Sequence, residues 1–291
     1  MIRVYHLRTL ARLAAVFTPV AVAMAQPSGT RMLQPGTVAL DSLRQTAGPT
    51  WRHEVSRHFT VYLEEPIDAR SLKATTDSLE SAWVAAVALL DHVVPDAPHA
   101  YVFVTRSRTR FAGLVSPEAK GLTMRLRSGD DVIMLVQNDS VRPYTRHEVM
   151  HLASFRAWGA PGVSMAWLAE GLATFADGQC QSSTVLAASR DLLAARPMLR
   201  VHDVVENFVP MWLTERAVAY VLAGSLVDYL WFSRGRDGVK RLWNGRDSII
   251  DVGVLPGTGG QQTAGWRKYV ARAAVGAPAL SMEAFRRAGC G

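Results

Sequence analysis

Cysteine is nearly absent from this 291-residue chain, with Cys180 and Cys290 the only two. Two thiols cannot build a structural zinc site of the Cys-rich kind, nor the dense framework of a small stapled domain, although in an exported protein two can pair. Lysine is scarce as well. Lys73, Lys120, Lys240 and Lys268 are the only lysines, so nearly all of the 32 basic residues are arginines. These are scattered, and no basic helix with interleaved aromatics is present, which speaks against a nucleic-acid partner. The densest group, Arg106 to Arg110 followed by Arg125 and Arg127, reads as a solvated loop or as a rim that favours acidic ligands. Past the N-terminus no apolar run is long enough for a membrane helix, and no segment repeats.

What is present begins with a leader. Arg3, Arg8 and Arg12 precede an apolar run from Leu13 to Ala25 that Pro19 interrupts, and Ala23-Met24-Ala25 has the form of a signal-peptidase site. The expectation is a cleaved signal peptide over 1–25 and a secreted or periplasmic mature chain. Removal of the three leader arginines lowers the formal charge from +7 to about +4.

Along the mature chain the hydrophobic period changes near residue 140. "HFTVYLEE", His58 to Glu65, alternates as a half-buried strand does, and "AYVFVT" (Ala100 to Thr105) and "DDVIMLVQ" (Asp131 to Gln137) read as two more strands. Leu122 to Leu126 reads as a further edge strand. Between the first two lies a helical pattern carrying Leu72, Leu79, Trp83 and Val87, which Pro95 is expected to stop. From Pro143 onward the pattern is mostly helical. Strands first and helices afterwards predict an α+β fold: an N-terminal extension over 26–54, a small sheet with a packed helix over 55–140, and a helical half over 141–291.

The chemistry concentrates at "RHEVMHLASFRAWGAPGVSMAWLAEGLATFADG", Arg146 to Gly178. His147 and His151 are four residues apart, one turn of a helix, and can share one ion. Glu148, about 100° round that helix, is suited to gripping a water beside the ion. Pro143 fits the first turn, with Ser140 or Asp139 as cap. Zinc held by two histidines and a carboxylate needs its third ligand from another element, and Glu170 is spaced for a second helix that folds back after a turn at Gly159 to Gly162. Gly171 beside it is expected to avoid crowding the first helix.

"HEVMH", eighteen residues, then "WLAEGLATF" resembles the gluzincin metallopeptidases, which include thermolysin and the zinc aminopeptidases, and more broadly the bacterial peptidase MA-like domains. The resemblance implies one zinc ion held by His147, His151 and Glu170, Glu148 as general base, a zincin-like helical half, and a peptide or protein substrate. It also implies an oxyanion donor from a later helix, for which Tyr220 in "TERAVAYVLAGSLVDYLWF" is the candidate and Tyr229 the fallback. Asp177, seven residues after Glu170, is a candidate for orienting a ligand, or else a surface carboxylate. The aminopeptidases of this group carry a glutamate on an upstream strand to bind the substrate's amino terminus. Here "GLTMRLRSG" places Arg125 after Met124 instead, so cleavage within a chain is the natural expectation. His53, His58, His92, His99 and His202 lack metal-like spacing and read as surface or structural residues. The alternative to a peptidase is a catalytically idle metal-binding domain that recognises envelope protein or peptidoglycan through the same cleft.

Overall fold

The computed structural model describes residues 40–47, 51–66, 69–91, 99–107, 120–138, 143–180, 183–247, 259–278 and 285. The expected signal peptide, the proposed caps Asp139 and Ser140, Pro95, His92 and Cys290 lie outside them.

The fold is α+β. Helix α1 (Leu40–Ala47) precedes strands β1 (Trp51–Val55) and β2 (Phe59–Glu64), helix α2 (Ala69–Leu90), and strands β3 (Ala100–Thr105), β4 (Gly121–Arg125) and β5 (Asp131–Val136). The strands form one sheet in the order β1-β2-β3-β5-β4. β2, β3 and β5 run parallel, and the edge strands β1 and β4 are antiparallel to their neighbours.

Period-two alternation assigns the two faces of this sheet. Phe59, Val61 and Leu63 of β2, Ala100, Val102 and Val104 of β3, and Ile133 and Leu135 of β5 join the main core. The alternate residues Phe103, Val132 and Met134 join Met124, Trp51 and Leu43 in a smaller cluster on the opposite face. A central strand buried on both faces is expected to be largely apolar, and β5 is buried at every position, apolar from Val132 to Val136 with the ion-paired Asp131 at its start. On β4, Met124 belongs to the smaller cluster, so Gly121, Thr123 and Arg125 occupy the face that carries the main core.

Two boundaries differ from expectation. The sheet begins at Trp51, inside the segment assigned to the extension; of "WRHEV" only Trp51 is buried, so this edge strand lacks the alternation that marks a half-buried one. Helix α2 ends at Leu90, five residues before Pro95, where Asp91 turns to a positive φ of 46°.

The helical half comprises α3 (Thr145–Trp158), a 3-10 turn (Val163–Met165), α4 (Ala166–Asp177), the two-residue strands β6 (Gln179–Cys180) and β7 (Ser183–Thr184), then α5 (Val185–Ala195), α6 (Val201–Glu206), α7 (Phe208–Thr214), α8 (Arg216–Trp243) and α9 (Gly259–Ala273). Pro143 precedes α3 instead of entering its first turn, since Tyr144 is the N-cap. Helix α4 packs most extensively on α8. A Cβ at Gly171 would lie 2.7 Å from both the Ala223 carbonyl oxygen and Val227 Cγ2, and one at Gly224 would lie 2.7 Å from Thr174 Cγ2. Gly171 therefore makes room for α8, not for α3 as its position in the motif suggests. Ser225 ties three helices together, hydrogen-bonding Ser189 of α5 at 2.6 Å and accepting from the Trp266 indole of α9 at 3.2 Å. No helix among the described residues is long and apolar enough to cross a membrane.

Candidate metal centre

Helix α3 carries a long buried face, and the ionisable residues buried there are His147, Glu148 and His151, beside the uncharged polar Thr145 and Ser154. Burying three ionisable groups without partners would be costly, so each should be found engaged. His147 Nε2 and His151 Nε2 lie 3.2 Å apart. Glu170 Oε2, delivered by α4, lies 3.2 Å from the first and 3.3 Å from the second. The three atoms form a nearly equilateral triangle.

Those edge lengths carry chemical information. Tetrahedral coordination with bonds of about 2.0–2.1 Å places neighbouring donor atoms about 3.3–3.4 Å apart. The two nitrogens and the carboxylate oxygen, at 3.2, 3.2 and 3.3 Å, lie close to that spacing, so this group could hold a metal ion. The electrostatics fit a site built for positive charge. Burial would raise the Glu170 pKa, but the two imidazoles beside it, His151 foremost, outweigh burial and hold the carboxyl well below its usual range. Burial works against a charge on His151, and the Glu170 carboxylate overcomes it so that the ring's pKa rises.

Glu148 is 4% exposed and faces the edge strand β4. The Thr123 hydroxyl lies 2.8 Å from its Oε2 and 2.9 Å from its backbone oxygen, placed to donate to either. A Cβ at Gly121 would meet the same carboxylate, so the side chain lies directly on the strand backbone. Burial pushes the Glu148 pKa up, with the two histidines opposing. Thr123 and Gly121 were not expected from the sequence; the signal was their placement two residues apart on one strand face, legible only once β4 is laid beside α3.

Tyr220 reaches the site from α8. Its ring centroid is 5.7 Å from that of His147, and the indole N–H of Trp212 on α7 donates to its hydroxyl at 3.0 Å. Arg216 lies over the Trp212 ring at 4.4 Å. Burial, followed by the negative charge of Glu170, raises the Tyr220 pKa strongly, so its hydroxyl keeps its proton. Tyr229, the fallback, is nine residues further along the same helix, about half a turn out of phase and roughly 13 Å away along the axis. It packs on Tyr269 of α9 and does not join the centre.

Asp177 is the last residue of α4, seven positions and about 10 Å along the axis from Glu170. His151 Nδ1, the atom an orienting carboxylate would hold, is buried with no hydrogen-bond partner among the described residues. Arg125 is not an open cation: it makes a bidentate pair with Asp131 at 2.7 and 3.0 Å, and Asp131 also binds Arg156 of α3 at 2.7 Å. The link joins β4 and β5 to α3. His58 is structural, its Nδ1 2.6 Å from Glu80.

No protein-family model matches the chain, and no curated protein is a significant match. The fold and the site together define an α+β protein with a three-donor centre at the junction of sheet and helices.

Proposed function

We propose that the chain is a secreted, single-zinc peptidase of the gluzincin type that cleaves within peptide chains. The observation that carries the reading is the triangle of His147 Nε2, His151 Nε2 and Glu170 Oε2, with edges of 3.2, 3.2 and 3.3 Å, with Glu148 on the same helix and a tyrosine hydroxyl opposite. Two nitrogens and one carboxylate suit zinc and leave a fourth position for water or substrate. A zinc ion held there supplies Lewis acidity and makes a water easier to deprotonate near neutral pH.

The protein's own groups divide the remaining work. Glu148 accepts the proton of the attacking water and returns it to the leaving amine, and its burial raises its proton affinity toward the range a general base needs. Thr123 and the Gly121 backbone hold that carboxylate against the sheet edge. Tyr220 keeps its proton and donates it in a hydrogen bond to the oxygen that gains charge as the carbonyl is attacked. Strand β4 has no carboxylate to bind an amino terminus, and its Arg125 is engaged by Asp131, which supports internal cleavage over removal of terminal residues.

Elemental analysis of the purified chain should find about one zinc per molecule, largely lost in His147→Ala, His151→Ala and Glu170→Ala, because each variant removes one of only three protein donors. Glu148→Gln should keep the metal while hydrolysis of a quenched peptide library falls by roughly a hundredfold or more. Unchanged zinc in all three ligand variants removes the centre. A zinc-loaded wild type that cleaves nothing in the library leaves the idle binding domain in its place.

A further inference from the structure

Between α8 and α9, on the side of α8 away from Tyr220, is a groove of about 450 Å³ with Tyr229, Phe232, Lys268, Tyr269 and Arg272 in its walls. Its size falls in the range of small-molecule sites, roughly 300–1,000 Å³. The floor is aromatic: the Tyr229 and Tyr269 ring centroids are 5.8 Å apart and those of Phe232 and Tyr269 are 5.1 Å apart. Gly265 makes this floor possible, since a Cβ there would lie 2.6 Å from the Tyr229 hydroxyl. The Tyr269 hydroxyl donates to Asp228 at 2.6 Å, which occupies the phenol's polar end and engages the carboxylate beside the groove.

Two features of this place are energetically unfavourable as they stand. Phe232 is 74% exposed, a large apolar ring left in water. Lys268 and Arg272 are like charges one turn apart on α9, a spacing that weakens a helix, and both are exposed, their side chains without an ion pair or hydrogen bond among the described residues. The described residues lining the groove include no carboxylate. An apolar floor beside two unneutralised cations is complementary to one chemistry, a molecule with an apolar body and an anionic head.

We propose that the groove between α8 and α9 binds an amphipathic anion, its aromatic or aliphatic body against Tyr229, Phe232 and Tyr269 and its carboxylate, sulfonate or phosphate between Lys268 and Arg272. The site is separate from the metal centre and does not depend on the peptidase reading, because its readout involves no hydrolysis.

The test is a fluorescence titration of the mature chain with 8-anilinonaphthalene-1-sulfonate, an aromatic sulfonate that brightens on leaving water. One saturable class of site is expected, displaced by decanoate and not by decyltrimethylammonium. The Lys268→Gln/Arg272→Gln double variant should weaken dye binding by about tenfold or more, two charge-assisted contacts being lost. Phe232→Ala should weaken it as well. All three side chains are exposed, so circular dichroism should show an unchanged fold, and Lys268→Glu/Arg272→Glu should weaken the dye further. Dye affinity unchanged in the double variant overturns the proposal, as does equal displacement by the cationic amphiphile. Co-sedimentation with phosphatidylglycerol vesicles that needs Lys268, Arg272 and Phe232, while dye and decanoate binding do not, also overturns it and makes the occupant a bilayer surface.

Discussion

At the scale of single residues, the proposed chemistry turns on which atom of each polar group remains available. Trp212 donates to the Tyr220 oxygen at 3.0 Å. That bond occupies an acceptor position and leaves the phenolic proton to be given elsewhere, and an accepted hydrogen bond strengthens the one donated. Tyr220→Phe should therefore raise the barrier by about 2–4 kcal/mol, read mainly in kcat, without unfolding the protein. Trp212→Phe keeps an aromatic ring under Arg216 but loses the N–H, and should lower kcat by roughly tenfold, about 1.4 kcal/mol. If Trp212 acts through Tyr220, its effect should vanish in a Tyr220→Phe background. Additive losses in the double variant would make Trp212 a packing residue only. The three donors and Glu148 were legible because two histidines one turn apart and a spaced glutamate are a local pattern. Trp212 and Thr123 were not, because each meets its partner across a chain reversal that no helical or strand period encodes.

At the scale of elements, the same division holds. Strands β2, β3 and β5 could be read because their faces are buried in alternation or throughout, whereas β1 could not, its one buried side chain being Trp51. The role of Gly171 is not legible from its local motif because its neighbour, α8, starts forty-five residues later in the chain. Gly171→Ala should destabilise by about 1–3 kcal/mol through overpacking against Ala223 and Val227, measured by thermal or urea unfolding. A further element contact makes a pH prediction. Glu80 of α2 is the acceptor for Ser56 at 2.5 Å, for the His58 backbone N–H at 2.9 Å and for the His58 ring at 2.6 Å, tying α2 to the β1–β2 turn. Burial would raise its pKa, but the hydrogen bonds from Ser56 and His58 outweigh burial and lower it below 4.5. A carboxyl with a depressed folded-state pKa contributes stability above its unfolded value, and that stability is lost as pH falls through the folded value. Glu80→Gln should thus cost about 1 kcal/mol at neutral pH, and the gap between variant and wild type should narrow as acid titrates the carboxylate through its lowered folded-state value. A gap that persists undiminished in acid would show that the carboxylate charge is not what joins these elements.

At the scale of the whole molecule, a covalent tie complements the packing. Cys180 is disulfide-bonded and fully buried, on the short strand that follows α4. The only other cysteine in the chain is Cys290. Pairing of these two closes a loop of about 110 residues, and the chain-entropy model assigns such a loop about 4–5 kcal/mol, an upper value because strain subtracts from it. The loop contains α5 to α9, and so Tyr220, Trp212 and the groove between α8 and α9, but all three proposed metal donors precede Cys180. Reduction should consequently separate two properties. Urea unfolding followed by tryptophan fluorescence should shift to lower denaturant, by about 2–4 kcal/mol in extrapolated stability. Zinc content of the reduced, still folded chain should stay near that of the oxidised one, since no donor is lost. Because Cys180 is buried, alkylation of both thiols should need reductant together with partial unfolding. Superimposable unfolding curves with and without reductant would show that helix packing around Ser225 and the two close-contact glycines holds this half of the molecule by itself.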